Sequence, residues 1–309
     1  MNQIPVWLDT DMGVDDAAAL LVLNRQEALR LTGISAVAGN VELFHTYDNV
    51  RKVSQLIGST APVFRGADRP LFKKLENAAQ VHGADGLGGA VLPPSGAPEQ
   101  VIPAWDALYQ AAEAAGGDLQ VVAVGPLTNL AIAFGKYPRL KELLRRILIM
   151  GGAARGGNVT PCAEFNIYAD PHAAQMVFKS GVPVVMCGLD VTEKAYLTLD
   201  EVTELGSRDT PVSRFFRDCT RDLTAYHEKW GSPGLVLHDI CPVLFLAHPE
   251  IFRGQEAGVY VETQGTITNG KTVTDLWSDK EFPEKNSFVV LDVDRPAFAA
   301  LVREALERY

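Results

Sequence analysis

Residues 4–23 read Ile4-Pro5-Val6-Trp7-Leu8-Asp9-Thr10-Asp11-Met12-Gly13-Val14-Asp15-Asp16, then Ala17-Ala18-Ala19-Leu20-Leu21-Val22-Leu23. The short apolar run 4–8, bounded by acids, is the pattern of a strand buried on both faces. The Ala/Leu-rich run after it is the pattern of a buried helix. A strand, a tight acidic turn and a helix open an α/β unit. Four carboxylates fall within the eight residues 9–16. Asp15 and Asp16 fall at the helix start, where capping and the macrodipole favour acids. That accounts for one of them and not for Asp9 and Asp11, which are expected at the strand end on one side of the sheet. Like charges held this close raise their own pKa values or attract a cation. A hard divalent ion, Ca²⁺ or Mg²⁺, held by oxygens is the economical solution, although Gly13 and Val14 do not fit an EF-hand loop.

Outward from this unit the same alternation continues. Residues 34–38, 119–124, 147–150 and 183–187 read as further buried strands. Helical patterns cover 15–30, 46–57, 104–115, 127–135 and 171–180. The second half is richer in helix, at 198–206, 212–229, 240–247 and 295–308, with strands near 258–263 and 287–293. This order predicts an open, mostly parallel but mixed β-sheet flanked by helices, with residues 1–309 forming one domain. Residues 65–103 are rich in Gly and Pro and read as a long ordered loop with a little helix, a length that is uncommon unless functional.

The strand ends carry chemistry. They are Asp9-Thr10-Asp11, Gly39-Asn40, Val124-Gly125-Pro126, Met150-Gly151-Gly152 and Gly188-Leu189-Asp190. Ligands of open α/β sheets bind outside the carboxyl ends of the strands. Glycines there let backbone approach a ligand, or simply make strand-to-helix turns.

The chain has 309 residues, 47% of them hydrophobic and 21% charged, with a formal charge of −10. This is the balance of a soluble globular protein. The acidic excess excludes nucleic acid and anionic membranes as natural partners, since both require a basic face. No apolar stretch is long enough for a membrane span, and the N-terminus lacks the pattern of a signal peptide. Cys162, Cys187, Cys219 and Cys241 form no CxxC pair, so a zinc site or a disulfide scaffold is not expected and the cytoplasm is the default compartment.

Three more polar groups stand out. His238-Asp239 precedes the apolar helical run 240–246 and reads as a second acidic contribution or as an N-cap Asp with an incidental His. Asn158, Glu164 and Asn166 lie in the loop 156–168. Amides with a carboxylate suit sugar hydroxyls better than a phosphate, and the alternative is an ordinary polar loop. His82, within His82-Gly83-Ala84-Asp85-Gly86-Leu87-Gly88-Gly89, reads by itself as a surface histidine.

Together these stretches make the sequence closely resemble the inosine–uridine-preferring nucleoside hydrolase family. The run 8–17 matches that family's DxDxxxDD signature. The similarity continues through Gly39-Asn40, His82-Gly83-Ala84-Asp85-Gly86, Gly125-Pro126-Leu127-Thr128-Asn129, Met150-Gly151-Gly152 and Gly157-Asn158. It extends through Ala163-Glu164-Phe165-Asn166-Ile167-Tyr168-Ala169-Asp170-Pro171, His238-Asp239 and the stretch 270–275, so the motifs keep one order from about residue 4 to about 293.

The resemblance implies hydrolysis of the N-glycosidic bond of ribonucleosides, with a Ca²⁺ at the bottom of the pocket. By motif position, Asp11, Asp16, Asp239 and the main-chain carbonyl of Val124 hold the ion. Asp15, Asn40, Asn158, Glu164 and Asn166 grip the ribose hydroxyls, Met150 lines the pocket, and Asp9 stands behind the ligands. Asp11 is also the general base. His238, anchored beside Asp239, is the expected acid for the leaving base, or else only packs there. His82, Phe165, Tyr226, His227 and Trp230 complete the candidate substrate contacts. Relatives that favour pyrimidines tend to carry a Tyr and a Gln before the His-Asp pair. Here the stretch is Tyr226-His227-Glu228-Lys229-Trp230, with no Gln, so base preference stays open. Tyr226 and Trp230, four apart, either stack on the base or pack an amphipathic helix. The resemblance also implies a homodimer or homotetramer.

Two rival readings use the same residues. In a haloacid-dehalogenase-like Mg²⁺ phosphohydrolase, Asp9 would be the nucleophile and Asp11 the acid. Asp15 and Asp16 then have no role, and no downstream Lys is placed for a phosphate. A non-catalytic, metal-dependent ribose or nucleoside binder would keep the pocket and lose turnover, which the intact Asp11 argues against.

Overall fold

The computed structural model describes residues 3–229, 231–277 and 284–309. Its strands are β1 Ile4–Thr10, β2 Leu29–Ala36, β3 Val63–Arg65, β4 Leu119–Ala123, β5 Leu144–Met150 and β6 Val184–Cys187. They continue with β7 Tyr196–Leu197, β8 Leu235–Val236, β9 Phe252–Val261, β10 Thr272–Asp275 and β11 Ser287–Val293. Among the described residues, nine of these form one sheet in the order β10-β9-β11-β6-β5-β4-β1-β2-β3, while β7 and β8 pair apart as a small antiparallel ribbon. Neighbours from β11 to β3 run parallel, and only β9 is antiparallel to those beside it. The sheet is therefore mixed and mostly parallel, as the β/α alternation predicted.

Alternation along the central strands divides the interior in two. Val6, Leu8, Val122, Leu148 and Met150 face one core, with helices Val14–Leu23, Pro211–Lys229, Ile240–Ala247 and Arg295–Glu307. Trp7, Val121, Ala123, Ile147 and Ile149 face the other, with helices Ala104–Ala115, Thr128–Lys136 and Pro171–Phe178. Both faces are covered, which is why these strands read as unbroken apolar runs. The strand order reverses between β1 and β4: β1, β2 and β3 extend one way, and β4, β5 and β6 the other. A crevice opens at the carboxyl ends of the strands at such a reversal.

Several boundaries differ from the sequence expectation. The first helix, expected over 15–30, ends at Leu23, and the second strand, expected at 34–38, begins at Leu29. The parallel ladder with β1 runs from Ile4↔Leu29 to Thr10↔Ala36, so sheet pairing claims residues whose local pattern still permits helix. The strand expected near 258–263 is β9, whose antiparallel partnership with β11 lengthens it back to Phe252. The short strands β3, β7, β8 and β10 carry too few residues for a periodic signal. The long loop after β3 contains one four-residue helix, Ala79–His82. Among the described residues, no helix is long and apolar enough to cross a membrane.

Candidate active site

β1 ends at Thr10, and residues 11–13 turn the chain into helix Val14–Leu23, the point where the acidic cluster gathers. Asp16 is fully held: its Oδ1 accepts from Thr10 Oγ1 at 2.5 Å, and its Oδ2 from the Gly13 N–H at 2.7 Å and Asn40 Nδ2 at 3.1 Å. The Gly13 contact is helix capping, so the local reading of one helix-start acid holds. Asp11 Oδ2 accepts the Asn40 backbone N–H at 2.7 Å. Asp11 Oδ1 and Asp15 Oδ1 are buried and accept no hydrogen bond. One carboxylate oxygen each from Asp15, Asp16 and Asp239 lie within 4.8 Å of one another. Asp239 occupies the N-cap position of helix Ile240–Ala247 without capping it, so helix capping does not explain this residue.

Burial raises all these carboxyls. Asp15 is pushed up to about 6, and Asp11 and Asp239 well above their ordinary value, with the neighbouring acids adding to the effect of burial. Asp16 is raised by burial and by the charge of Asp15. Buried, crowded carboxylates with acceptors lacking donors are the complement of a hard divalent cation, which satisfies oxygen acceptors and cancels their repulsion together. The residues present fit such an ion. Asp15, expected on the ribose, is thus grouped with Asp16 and Asp239, while Asp11 lies against Asp16.

The strand-end glycines have a specific use here. A Cβ on Gly39 would collide with the Asp11 carboxylate, and one on Gly125 would sit 2.8 Å from Asp11 Oδ1. Both leave room for Asp11 rather than for the backbone of a turn.

A second wall comes from the end of β5 and the loop after it. Asn166 Nδ2 donates to the Val124 carbonyl at 2.8 Å and the Met150 carbonyl at 3.1 Å. Its amide is therefore fixed, with Oδ1 left as the atom available to a ligand. Glu164 caps helix Phe165–Ala169 by accepting from the Asn166 and Ile167 N–H groups, and it also takes the Gly152 N–H at 2.8 Å. Burial nevertheless pushes its carboxyl up to about 7. Asn158 Oδ1 accepts the Phe165 N–H at 2.9 Å, which leaves the Asn158 amide hydrogens outward.

Three histidines form the opposite side. His82 is buried, so the surface alternative for it fails. Its Nδ1 accepts the Val14 N–H at 3.2 Å and lies 3.8 Å from Asp15 Oδ1. His227 Nδ1 accepts the Val236 N–H at 3.2 Å. With Nδ1 an acceptor in both rings, the neutral imidazole carries its hydrogen on Nε2. His238 Nδ1 lies 2.7 Å from Thr192 Oγ1. Burial is the largest cause lowering all three, to about 4 for His82 and His227 and about 3 for His238.

These walls enclose a cavity of about 820 Å³, roomy enough for a small ligand. Asp15, Asn40, His82, Val124, Met150, Asn158, Glu164, Phe165, Asn166, Tyr226, His227, His238 and Asp239 all line it. Asp11 and Asp16 lie buried beneath. Trp230 is outside the described residues. Sequence reasoning missed Glu193, which also lines the cavity, and Thr192, which holds His238. Both follow the noted strand end Gly188-Leu189-Asp190, and that position was the available signal.

Asp9 is not beside Asp11 in the site. It is 1% exposed, accepts from Asn129 Nδ2 at 2.7 Å and from Ser35 Oγ, and is absent from the cavity wall. Strand alternation turns it toward the Trp7 side of the sheet, away from Leu8. Asp11 lies past the end of β1, in the turn where the Asn40 N–H holds it, so the expectation that both acids share one side is corrected. A phosphohydrolase nucleophile at Asp9 has no access to substrate.

The family model described as inosine-uridine preferring nucleoside hydrolase matches residues 6–300. The pyrimidine-specific ribonucleoside hydrolase RihA of Shewanella woodyi is 39% identical over 309 residues, covering 99% of this chain and 98% of its own. The protein of the same name from Escherichia coli strain K12 is 40% identical over 310 residues, 99% of both chains. Among solved structures, the purine-preferring ribonucleoside hydrolase from Gardnerella vaginalis superposes with a TM-score of 0.93 at 30% identity, covering 98% of each chain.

Proposed function

This chain belongs to the inosine-uridine preferring nucleoside hydrolase family and is an N-glycosyl hydrolase of ribonucleosides, and from that premise we propose a Ca²⁺-dependent enzyme that favours pyrimidine ribonucleosides and releases free base and ribose. The observation that carries the reading is the buried nest of Asp11, Asp15, Asp16 and Asp239 beneath a cavity walled by amides and imidazoles. The pyrimidine preference is supported by the relatives named pyrimidine-specific, at about 40% identity over the full chain.

Asp11, Asp16, Asp239 and the Val124 carbonyl would hold the ion, with Asp15 close by. When bound, the ion supplies Lewis acidity toward water and toward the vicinal ribose hydroxyls. Asp11 has one oxygen held by Asn40 and the other without a donor, and it takes the proton of the attacking water. Asp15, Asn158, Glu164 and Asn166 position the ribose, with Asn40 fixing the carboxylates beneath it. Breaking the C1′–N bond builds positive charge on the sugar, and the carboxylates stabilise that charge. His238 is the donor to the departing base, with His82, Phe165, Tyr226 and His227 around it. One domain over residues 1–309, a homodimer or homotetramer, and a cytoplasmic setting complete the proposal. Four free cysteines suit the last of these.

The base preference is tested by kcat/KM across uridine, cytidine, inosine and adenosine. Uridine and cytidine are expected to lead, and equal or better hydrolysis of inosine overturns the preference. Metal dependence has its own test. The purified protein is expected to carry about one Ca²⁺ per chain, as a site with several carboxylates should. Chelation should abolish hydrolysis and Ca²⁺ restore it. Full activity after exhaustive chelation, with no Ca²⁺ found by elemental analysis, removes the metal from the reaction.

A further inference from the structure

Thr192 ends the short helix Leu189–Thr192 that follows β6, and it is fully buried. A buried hydroxyl needs an acceptor for its hydrogen. Helical threonines usually find one at the carbonyl four residues back. Thr203, Thr220 and Thr224 do so here, donating to Leu199, Phe216 and Thr220. Thr192 does not: the Gly188 carbonyl is taken by backbone N–H groups, and among the described residues the hydroxyl's one hydrogen-bond partner is His238 Nδ1 at 2.7 Å. The hydroxyl therefore donates and Nδ1 accepts. His238 then joins His82 and His227, whose Nδ1 atoms accept backbone N–H groups.

We infer that Thr192 is a positioning residue of the reaction, whose hydroxyl donates to His238 Nδ1, so that the ring carries its hydrogen on Nε2 and presents it to the leaving base. The inference rests on reading His238 as the donor to that base. The hydrogen on a neutral imidazole is placed by the bond its other nitrogen makes. Among the described residues no other hydrogen bond to the His238 ring selects between its two tautomers, and one of them offers the base a lone pair.

In the step served, the C1′–N bond breaks and its electron pair goes to the base. A water oxygen bonds to C1′, and the proton it loses goes to Asp11. His238 stabilises the charge growing on the base by a hydrogen bond from Nε2–H, and no proton leaves the imidazole. The base takes its proton from solvent on release, and Asp11 returns its own.

The test compares uridine with p-nitrophenyl riboside, whose leaving group departs without assistance, on the Ca²⁺-supplied enzyme. His238→Ala should lose about 10- to 100-fold on uridine, the range of a hydrogen bond to a charged group, and little on the aryl riboside. Thr192→Val keeps the shape and removes the hydroxyl. It should lose about three- to tenfold in kcat on uridine, the range of a neutral hydrogen bond, with KM and the aryl riboside unaffected. Thr192→Ser should restore the wild-type ratio. Nitrogen-15 NMR of the His238 ring in the wild-type enzyme should find Nε2 protonated and Nδ1 bare, with Thr192→Val moving it toward a mixture. If His238→Ala loses both substrates alike, the donor reading falls and takes this inference with it. If His238→Ala separates the substrates but Thr192→Val does not, Thr192 alone falls. A wild-type ring protonated on Nδ1 overturns the inference without any variant, even if Thr192→Val does not fold.

Discussion

Asp11→Asn is expected to lower kcat on uridine by about 10²–10⁴-fold, the range for losing a general base. The substitution keeps the shape, and the new amide oxygen still accepts from the Asn40 N–H that holds Oδ2 at 2.7 Å. The negative charge that draws the proton from water is removed. Loss of folding is a poor explanation for such a collapse. Asp11 is buried and repelled by Asp16 and Asp15, so removing its charge relieves repulsion in the ion-free protein. The melting temperature measured with chelator present should therefore hold or rise while turnover falls. A variant keeping more than half the wild-type kcat moves the base elsewhere, with Asp15 next in line because its Oδ1 also lacks a donor.

Deoxyuridine is expected to be a worse substrate than uridine by roughly 10⁴-fold or more in kcat/KM, as in sites built to hydrogen-bond a hydroxyl. Asp15 Oδ1 is a buried acceptor with no donor, and Asn166 has both amide hydrogens on the carbonyls of Val124 and Met150, leaving its Oδ1 as an acceptor. A 2′-hydroxyl donates to such atoms. The deoxy sugar leaves them unpaired, and that cost falls on the analogue alone. Comparable kcat/KM values for the two nucleosides would remove Asp15 and Asn166 from the 2′ position.

The largest share of the fold was readable from residues 4–23 and their repeats. A strand buried on both faces must be apolar throughout, and a helix packed on it must carry small and branched apolar residues, so each leaves a local composition. The acidic turn was readable for the same reason. Four carboxylates within eight residues are close wherever the chain goes, and the need for a cation follows from Coulomb repulsion without a structure. Ordered motifs along the chain then pointed to Asn158, Glu164 and Asn166 and to His238-Asp239, and all five line the cavity.

What tertiary structure alone decided concerns pairs far apart in sequence. Residues 24–30 retain a helical pattern, and only the pairing of Ile4 with Leu29 makes a strand begin at Leu29. Asp9 and Asp11 look equivalent in sequence. The end of β1 at Thr10, which leaves Asp9 in the strand and puts Asp11 in the turn, and the arrival of Asn129, 120 residues away, separate the two acids. His82 reads as a surface residue until the long loop folds over helix Val14–Leu23 and its ring accepts the Val14 N–H. Gly39 and Gly125 gain their purpose only from the Asp11 carboxylate lodged between them. Thr192 and His238, 46 residues apart, carry no shared local signal. Local sequence sets which way a short segment curls and which face it buries, since those depend on neighbours three or four bonds of chain away. Which hydrogen a ring nitrogen carries, and which of two like acids faces the substrate, depends on single contacts that exist only after the strands have chosen their neighbours.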